Sequence, residues 1–371
     1  MRIFQVLELN QFNTGSVHQM FQAAAGLRER GHEVTIVSRP GSVLAGKAAA
    51  AGVGFRSLPF RHRFDARSII GMRALVREFQ PDVIHVHKGV SHAVALAATY
   101  RQGVGAFIVN RGVSFPLDFW NRGKYRTSRV DRVVTVCRQI KNVIVSSAGL
   151  PDEKVEVVYA GTDVALFDPA QHDPRVFRRE KAIGEDRFLL AQVGIRDWKG
   201  WKDVVDAVAE VASRFATVHL VVIGDIAHAG EVRQYAALRG IEERVTPVEH
   251  RMDMPNVLSS CDLVVDASWA GTGITGTIRE AMAMEKPVIA TNAGGNEELV
   301  SSPEVGWLIP MRDHAALTRA IIEVMEDRER AAAASRAARR HVVDGFSKEL
   351  RISRLEQLYR QVLRSKGRAR G

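Results

Sequence analysis

The sequence predicts an α/β protein of two Rossmann-like domains facing across a cleft, and three observations carry that prediction. The N-terminus runs strand, turn, amphipathic helix, strand, the opening of a Rossmann half. A wholly apolar strand, FLLAQVG at 188–194, restarts the pattern after a charged, Pro-containing stretch. Residues 268–299 read as a small-residue loop, a short helix, a strand and a Gly-Gly turn, as at the crevice end of a parallel strand.

Taken in order, residues 3–9 form the first strand, and Thr14-Gly15-Ser16 turns into a helix that stops at Arg30-Gly31. GHEVTIVSRP holds the second strand. No G-x-G-x-x-G follows the first strand, which argues against a dinucleotide. GSVLAGKA at 41–48 has the G-x4-G-K spacing of a phosphate loop. It offers Ala48 where a metal-holding hydroxyl is needed, and it follows the second strand rather than the first, so that reading is set aside. A strand at 53–58 and a helix at 66–79 precede PDVIHVH, a buried strand whose His85 and His87 share one face. Without a third ligand of clear spacing they read as strand-end histidines rather than a metal pair. A helix at 92–101, strands at 105–110 and 130–136, a helix at 138–148 and a strand at 154–159 complete the first domain.

Residues 164–186 mix Pro and charge with little periodicity and read as a linker. The expected division is therefore 1–163, linker 164–186, second domain 187–345, and a last helix with a basic tail at 346–371. Strands at 218–223, 245–249 and 262–266 lead to the loop of 268–276, and helices at 313–326, 329–344 and 347–364 end the chain.

Composition narrows the function classes. A chain of 371 residues can bury two cores, and 46% hydrophobic with 25% charged residues is ordinary for a globular protein. No apolar run approaches the roughly 20 residues of a membrane span. The N-terminus lacks a signal-peptide core, and Cys137 and Cys261 read as buried free thiols, so a cytoplasmic address is expected. The net charge of +10 is uneven: residues 1–165 carry 22 Lys and Arg against 12 Asp and Glu. Basic clusters at 56–77 and 122–141 interleave with Phe55, Phe60, Phe64, Phe119, Trp120 and Tyr125. No nucleic-acid motif accompanies them, so nucleic acid is not an expected partner. An anionic membrane surface touched peripherally from the inner face is, with a merely solvated face as the alternative.

The chemistry concentrates in the second half. The glycines and threonines of Gly271-Thr272-Gly273-Ile274-Thr275-Gly276 let backbone approach a ligand. A helix starting near Thr277 turns its free amides and positive dipole end toward that loop, an anion site usually filled by phosphate. Glu280, one turn in, is too far along for an anion and suits the hydroxyls of a sugar. Arg196, Lys199 and Lys202 follow the apolar strand directly, where cations would neutralise a diphosphate leaving group. No Asp-x-Asp occurs, so neither metal nor cofactor is expected.

This stretch resembles the glutamate-x7-glutamate region of retaining glycosyltransferases with the two-Rossmann GT-B architecture, specifically family 4, the bacterial glycan and lipopolysaccharide builders. The resemblance implies that Glu280 holds the ribose of a nucleotide-sugar and that the amides of Gly276 and Thr277 hold its diphosphate. Thr272 stands where the family has its first glutamate, used on donor-sugar hydroxyls, and Gly273, Ile274 and Thr275 complete the donor loop. Gly15 keeps one glycine of the family's first-turn pair. Arg196 with Lys199 or Lys202 matches the family's Arg and Lys-Gly turn, and the loop of His250 and Arg251 is where similar proteins seat the nucleobase. Arg111 replaces a histidine at the transfer centre and, unable to act as a base, is suited to gripping an anionic group. His87 and Ser114 fall on the acceptor side. The last helix is implied to cross back to the first domain. The implied activity is metal-independent transfer from a UDP-, GDP- or ADP-linked sugar, with retention, to a cell-envelope glycan or lipid-linked acceptor. Two other readings stay open: a nucleotide-sugar epimerase of the same fold, and a non-catalytic sugar-nucleotide-binding relative.

Overall fold

The structure is a computed structural model that describes all residues except 10, 11, 13, 42, 272 and 368–371. The chain divides into two compact units, residues 1–161 together with 348–371, and residues 162–347.

In the first unit the chain alternates strand and helix: β1 (Arg2–Val6), α1 (Gly15–Glu29), β2 (Glu33–Ser38), α2 (Val43–Ala50), β3 (Gly54–Ser57), α3 (Ala66–Phe79) and β4 (Val83–Val86). It continues with α4 (Gly89–Ala98), β5 (Ala106–Arg111), α5 (Phe119–Arg126), β6 (Arg132–Thr135), α6 (Arg138–Ala148) and β7 (Val155–Val157). The second unit contains α7 (Arg175–Glu180), β8 (Phe188–Val193), α8 (Trp201–Arg214), β9 (Val218–Gly224), α9 (Ala229–Leu238), β10 (Val245–Glu249) and α10 (Met254–Ser260). Next come β11 (Leu263–Asp266), α11 (Gly276–Ala283), β12 (Val288–Thr291), α12 (Asn296–Leu299), β13 (Trp307–Ile309), α13 (His314–Glu326) and α14 (Arg328–Phe346). The last helix, α15 (Lys348–Ser365), belongs to the first unit.

Each unit is built on one parallel sheet, of order β3-β2-β1-β4-β5-β6-β7 in the first and β10-β9-β8-β11-β12-β13 in the second. Both orders reverse beside the first strand of the unit, between β1 and β4 and between β8 and β11. Strand ends at such a reversal diverge and leave a crevice at their carboxyl side. The central strands are mainly apolar because helices cover both faces, with Gln5, His85, Gln192 and Asp266 as buried polar exceptions. Leu190, Val222, Val265 and Ile289 pack against Val204, Val208, Leu317 and Ile321 in the second unit.

In the first unit α15 is part of the core: Ile352, Leu355, Tyr359 and Val362 lie among Ile3, Leu27 and Ile36. A side chain at Gly26 of α1 would begin 2.1 Å from Ile352 Cδ1, so only glycine admits this close helix contact.

Three features depart from the expected elements. Helix α5 is new; FWNRGKYR has little helical periodicity, and the helix starts because the Asp118 carboxylate accepts from the Asn121 amide at 2.8 Å. The stretch 43–50, part of the set-aside phosphate loop, is the helix α2. Residues 164–186 are not a free linker. They group with the second unit, where buried Arg178 of α7 donates to the Ser260, Gly184 and Arg187 carbonyls and pairs with Asp262 at 2.7 Å.

Candidate functional site

The second unit gathers its polar residues where β8 and β11 end. After β8 the chain turns through Gly194, whose φ of +104° is left-handed, and places Arg196 in solvent. One 3-10 turn at Asp197–Lys199 ends on Gly200, φ +68°, and α8 begins. A side chain on Gly200 would start 2.1 Å from the Ala267 carbonyl oxygen, so the start of α8 sits directly on the end of β11. Gly194 lets the Lys199 stem lie across it, since an added Cβ would meet Lys199 Cγ at 2.9 Å. The stem thereby carries Lys199 Nζ to 3.7 Å from Asp266 Oδ1. Lys202 is spent elsewhere: its ammonium pairs with Glu231 at 3.1 Å and lies over the rings of Trp201 and Tyr235. The two lysines are thus separated by their partners.

Asp266 ends β11 and is 3% exposed. Ser268 Oγ donates to its Oδ1 at 2.7 Å, while Thr275 Oγ1 and Asn296 Nδ2 donate to Oδ2 at 2.8 and 3.2 Å. Asn296 in turn accepts from the Thr275 amide at 3.2 Å. One buried carboxyl group therefore collects the turn after β8, the donor loop and the start of α12, and its oxygens are hydrogen-bonded as buried polar atoms require.

Thr275 is the N-cap residue of α11, yet its hydroxyl makes no cap bond. With that hydroxyl turned to Asp266, no side chain among the described residues caps the first-turn amides of Gly276 and Thr277. Ile274 is buried beneath the loop, and the Gly273 carbonyl accepts from the Gly295 amide at 3.0 Å. Thr272 lies outside the described residues.

Glu280 leans back along its own helix, its Oε1 3.9 Å from where a side chain on Gly276 would start. It retains partial exposure, but surrounding protein desolvates the carboxyl and pushes it up to about 7, opposed by the charge of Arg279. Arg279 is buried and donates from Nε to Thr162 Oγ1 at 2.6 Å, and burial lowers it to about 10. Arg251 is a clamp rather than an available cation. Its guanidinium is bidentate on Glu180, at 2.6 and 2.8 Å, and also holds Asp253, which raises its affinity for its proton.

In the first unit Gly15 opens α1 and, among the described residues, no atom lies within 4 Å of an added side chain and the N-cap Thr14 makes no side-chain cap bond. His87 is buried, 5% exposed, and its Nε2 lies 2.6 Å from Gln5 Oε1. His85 stacks on it at 4.3 Å between rings, so the shared face expected from the sequence holds, but that face is interior. β4 is an inner strand, and on this face Tyr359 of α15 meets the neighbouring His85. Burial, with Arg351 nearby, lowers His87 to about 3 and keeps it neutral. Arg111 ends β5 and donates from Nη2 to the Phe115 carbonyl, bracing the loop that contains the half-exposed Ser114.

Asp266 and Asn296 are the residues that the sequence reading missed. The available signal was an acidic residue closing an otherwise apolar strand, VVD, a composition that a buried strand does not need for packing. Among the described residues no group of three or more His, Cys, Asp or Glu gathers as a metal site.

Known proteins resemble this chain along most of its length. The family model described as "Glycosyl transferases group 1" matches residues 173–341, and "Glycosyltransferase Family 4" matches residues 14–166. The UDP-Gal:alpha-D-GlcNAc-diphosphoundecaprenol alpha-1,3-galactosyltransferase of Escherichia coli is 24% identical over 314 residues, 80% of this chain and 79% of the relative. The lipopolysaccharide core biosynthesis mannosyltransferase LpsB of Rhizobium meliloti is 29% identical over 258 residues, 65% of this chain and 68% of the relative. Among solved structures, a glycosyltransferase from Rickettsia africae superposes with a TM-score of 0.89 at 20% identity, covering 98% of each chain. Anabaena HepE in complex with UDP gives 0.84 at 19% identity, covering 96% of this chain and 99% of that one.

Proposed function

Because the chain belongs to the family 4 glycosyltransferases of the GT-B fold, we propose that it moves a sugar from a nucleoside-diphosphate sugar to a cell-envelope glycan or lipid-linked acceptor, with retention at the anomeric carbon. The observation that carries the proposal is the convergence of Lys199 and the N-cap residue of α11 on Asp266 at the strand ends, with Glu280 one turn further along the helix. In this reading the amides of Gly276 and Thr277 hold the diphosphate and the Glu280 carboxylate accepts from ribose hydroxyls. As the C1–O bond breaks, positive charge grows on the sugar ring and negative charge on the departing phosphate oxygen. Lys199, with the exposed head of Arg196, neutralises that oxygen. The acceptor enters on the face the phosphate leaves and hands its proton to that phosphate oxygen, so no protein nucleophile is needed. Charge is neutralised by side chains and amides, and turnover is expected to survive chelators.

The partner surface of this reading is α5 and the loop before it. Phe119 and Trp120 are 75% and 83% exposed beside Arg122, Lys124 and Arg126, with Phe115 and Val113 in the preceding loop. Aromatic rings and cations together suit an anionic membrane, where a lipid-linked acceptor resides. Among the described residues no helix is long and apolar enough to cross a membrane, so the proposed contact is peripheral, from the cytoplasmic face.

The test is turnover of a panel of UDP-, GDP- and ADP-sugars with membrane extract as acceptor. The reading requires consumption of one donor only when acceptor is added, with the product anomer matching the donor by NMR. Interconversion of the donor alone would instead mark an epimerase.

A further inference from the structure

The anchoring of Asp266 has a role that packing alone does not explain. A carboxyl group sealed at the end of a central strand brings a desolvation cost that an apolar residue would avoid, and hydrogen-bond donors around it offset that cost. Those donors come from separate segments: Ser268 and Thr275 from the loop, Asn296 from the next strand's end, and Lys199 from the turn after β8. Two of these links act on the proposed diphosphate site directly. The pull on Thr275 turns the N-cap hydroxyl away from α11, and the carboxyl group opposite Lys199 holds an ammonium whose further contact is the Trp198 ring, 5.3 Å away.

We propose that Asp266 is a positioning residue for the leaving diphosphate: it keeps the start of α11 open and holds Lys199 beside it, so that both meet the second phosphate already in place. This rests on the donor reading given above. Gln192 adds a second tie on the same turn, donating from Nε2 to the Lys199 carbonyl at 3.0 Å. The lysine is thus fixed at both its backbone and its head. A preorganised cation loses less freedom on binding than a mobile one, which is where the gain lies.

The readout is the factor by which the second phosphate tightens binding, measured by calorimetry with UDP against UMP, GDP against GMP and ADP against AMP. Asp266→Asn keeps the shape of the side chain and removes its charge. It is expected to shrink that factor about tenfold while leaving monophosphate affinity within about twofold. Lys199→Ala is expected to shrink the factor equally, and the double variant no further, because both changes break one linkage. If Asp266→Asn does not fold, Thr275→Val serves instead: it leaves α11 uncapped and the charge opposite Lys199 in place, so the factor is expected to stay within about twofold, and a loss as large as that of Lys199→Ala would overturn the proposal. A factor that is unchanged or enlarged in Asp266→Asn, or losses that add in the double variant, would overturn the proposal. A wild-type protein that draws nothing from the second phosphate for any base would instead overturn the donor reading itself.

Discussion

The hydroxyl of Tyr359, on the last helix, lies 2.6 Å from Nδ1 of His85 on β4, joining residues 274 apart in the chain. Gln5 Nε2 donates to the same hydroxyl at 3.4 Å, and His87 meets Gln5 at 2.6 Å, so four buried polar side chains form one line through the first unit. Removing the middle member strands its neighbours. Tyr359→Phe keeps the ring and is expected to cost about 1–3 kcal/mol in denaturant unfolding, since buried polar groups left unpaired carry their desolvation. A change within error would show that the hydroxyl contributes only shape.

Acid should loosen the same unit. Burial holds His87 and His92 at about 3 and lowers His85 well below its ordinary value. In the unfolded chain each takes up a proton below about 6.5. The unfolded state then binds more protons than the folded one, so stability is full above that pH and is lost as pH falls toward 3. The slope is at most about 1.4 kcal/mol per pH unit for each histidine. Unfolding midpoints between pH 7.5 and 5 measure it, and a flat profile is incompatible with three neutral buried imidazoles.

Glu280 titrates in the opposite sense. Its carboxyl, raised to about 7, favours the protonated folded state and opposes folding once it must ionise. Glu280→Gln is therefore expected to stabilise the unliganded protein at pH 8 while weakening nucleotide binding about tenfold there. Only the ionised group accepts from two hydroxyls, so wild-type affinity should fall between pH 8 and 6 more steeply than that of the variant. The variant's own profile carries the titration of the phosphate. Parallel profiles would remove Glu280 from the ribose.

The exposed rings of α5 make a prediction about lipid. Vesicles rich in phosphatidylglycerol should carry the protein upward in flotation, and neutral vesicles should not. Replacing Phe119 and Trp120 together by Ser should release it, with about 2 kcal/mol or more of apolar burial lost. Equal flotation of both proteins would assign the surface to solvent.

The strands were legible because burial on both faces leaves runs such as VVIG and FLLAQV with no other use. Lys199 and Glu280 were legible too, one beside a strand end and the other one turn into a helix. The choice between Lys199 and Lys202 was not: it depends on a 3-10 turn and a left-handed Gly200, which swing one lysine over Gly194 and the other toward Glu231. His87 was placed on the correct face, but its burial depends on a helix that returns some 270 residues later. Arg251 looked like a cation beside a base because its partner Glu180 lay in a stretch read as linker. Asp266 escaped notice for the same reason: its donors at 199, 275 and 296 are distant in sequence and adjacent only in the fold.

The membership of α15 in the first unit bears on when that unit can form. Residues 162–347 are one unbroken stretch and can mature while translation continues. The first 161 residues emerge earlier, and the part of the cluster around Leu27 and Ile36 that Ile352 and Leu355 complete stays open until those residues are made. Synthesis order and maturation order are thereby reversed. A chain stopped short of residue 348 would release its later half well made and its earlier half prone to aggregate.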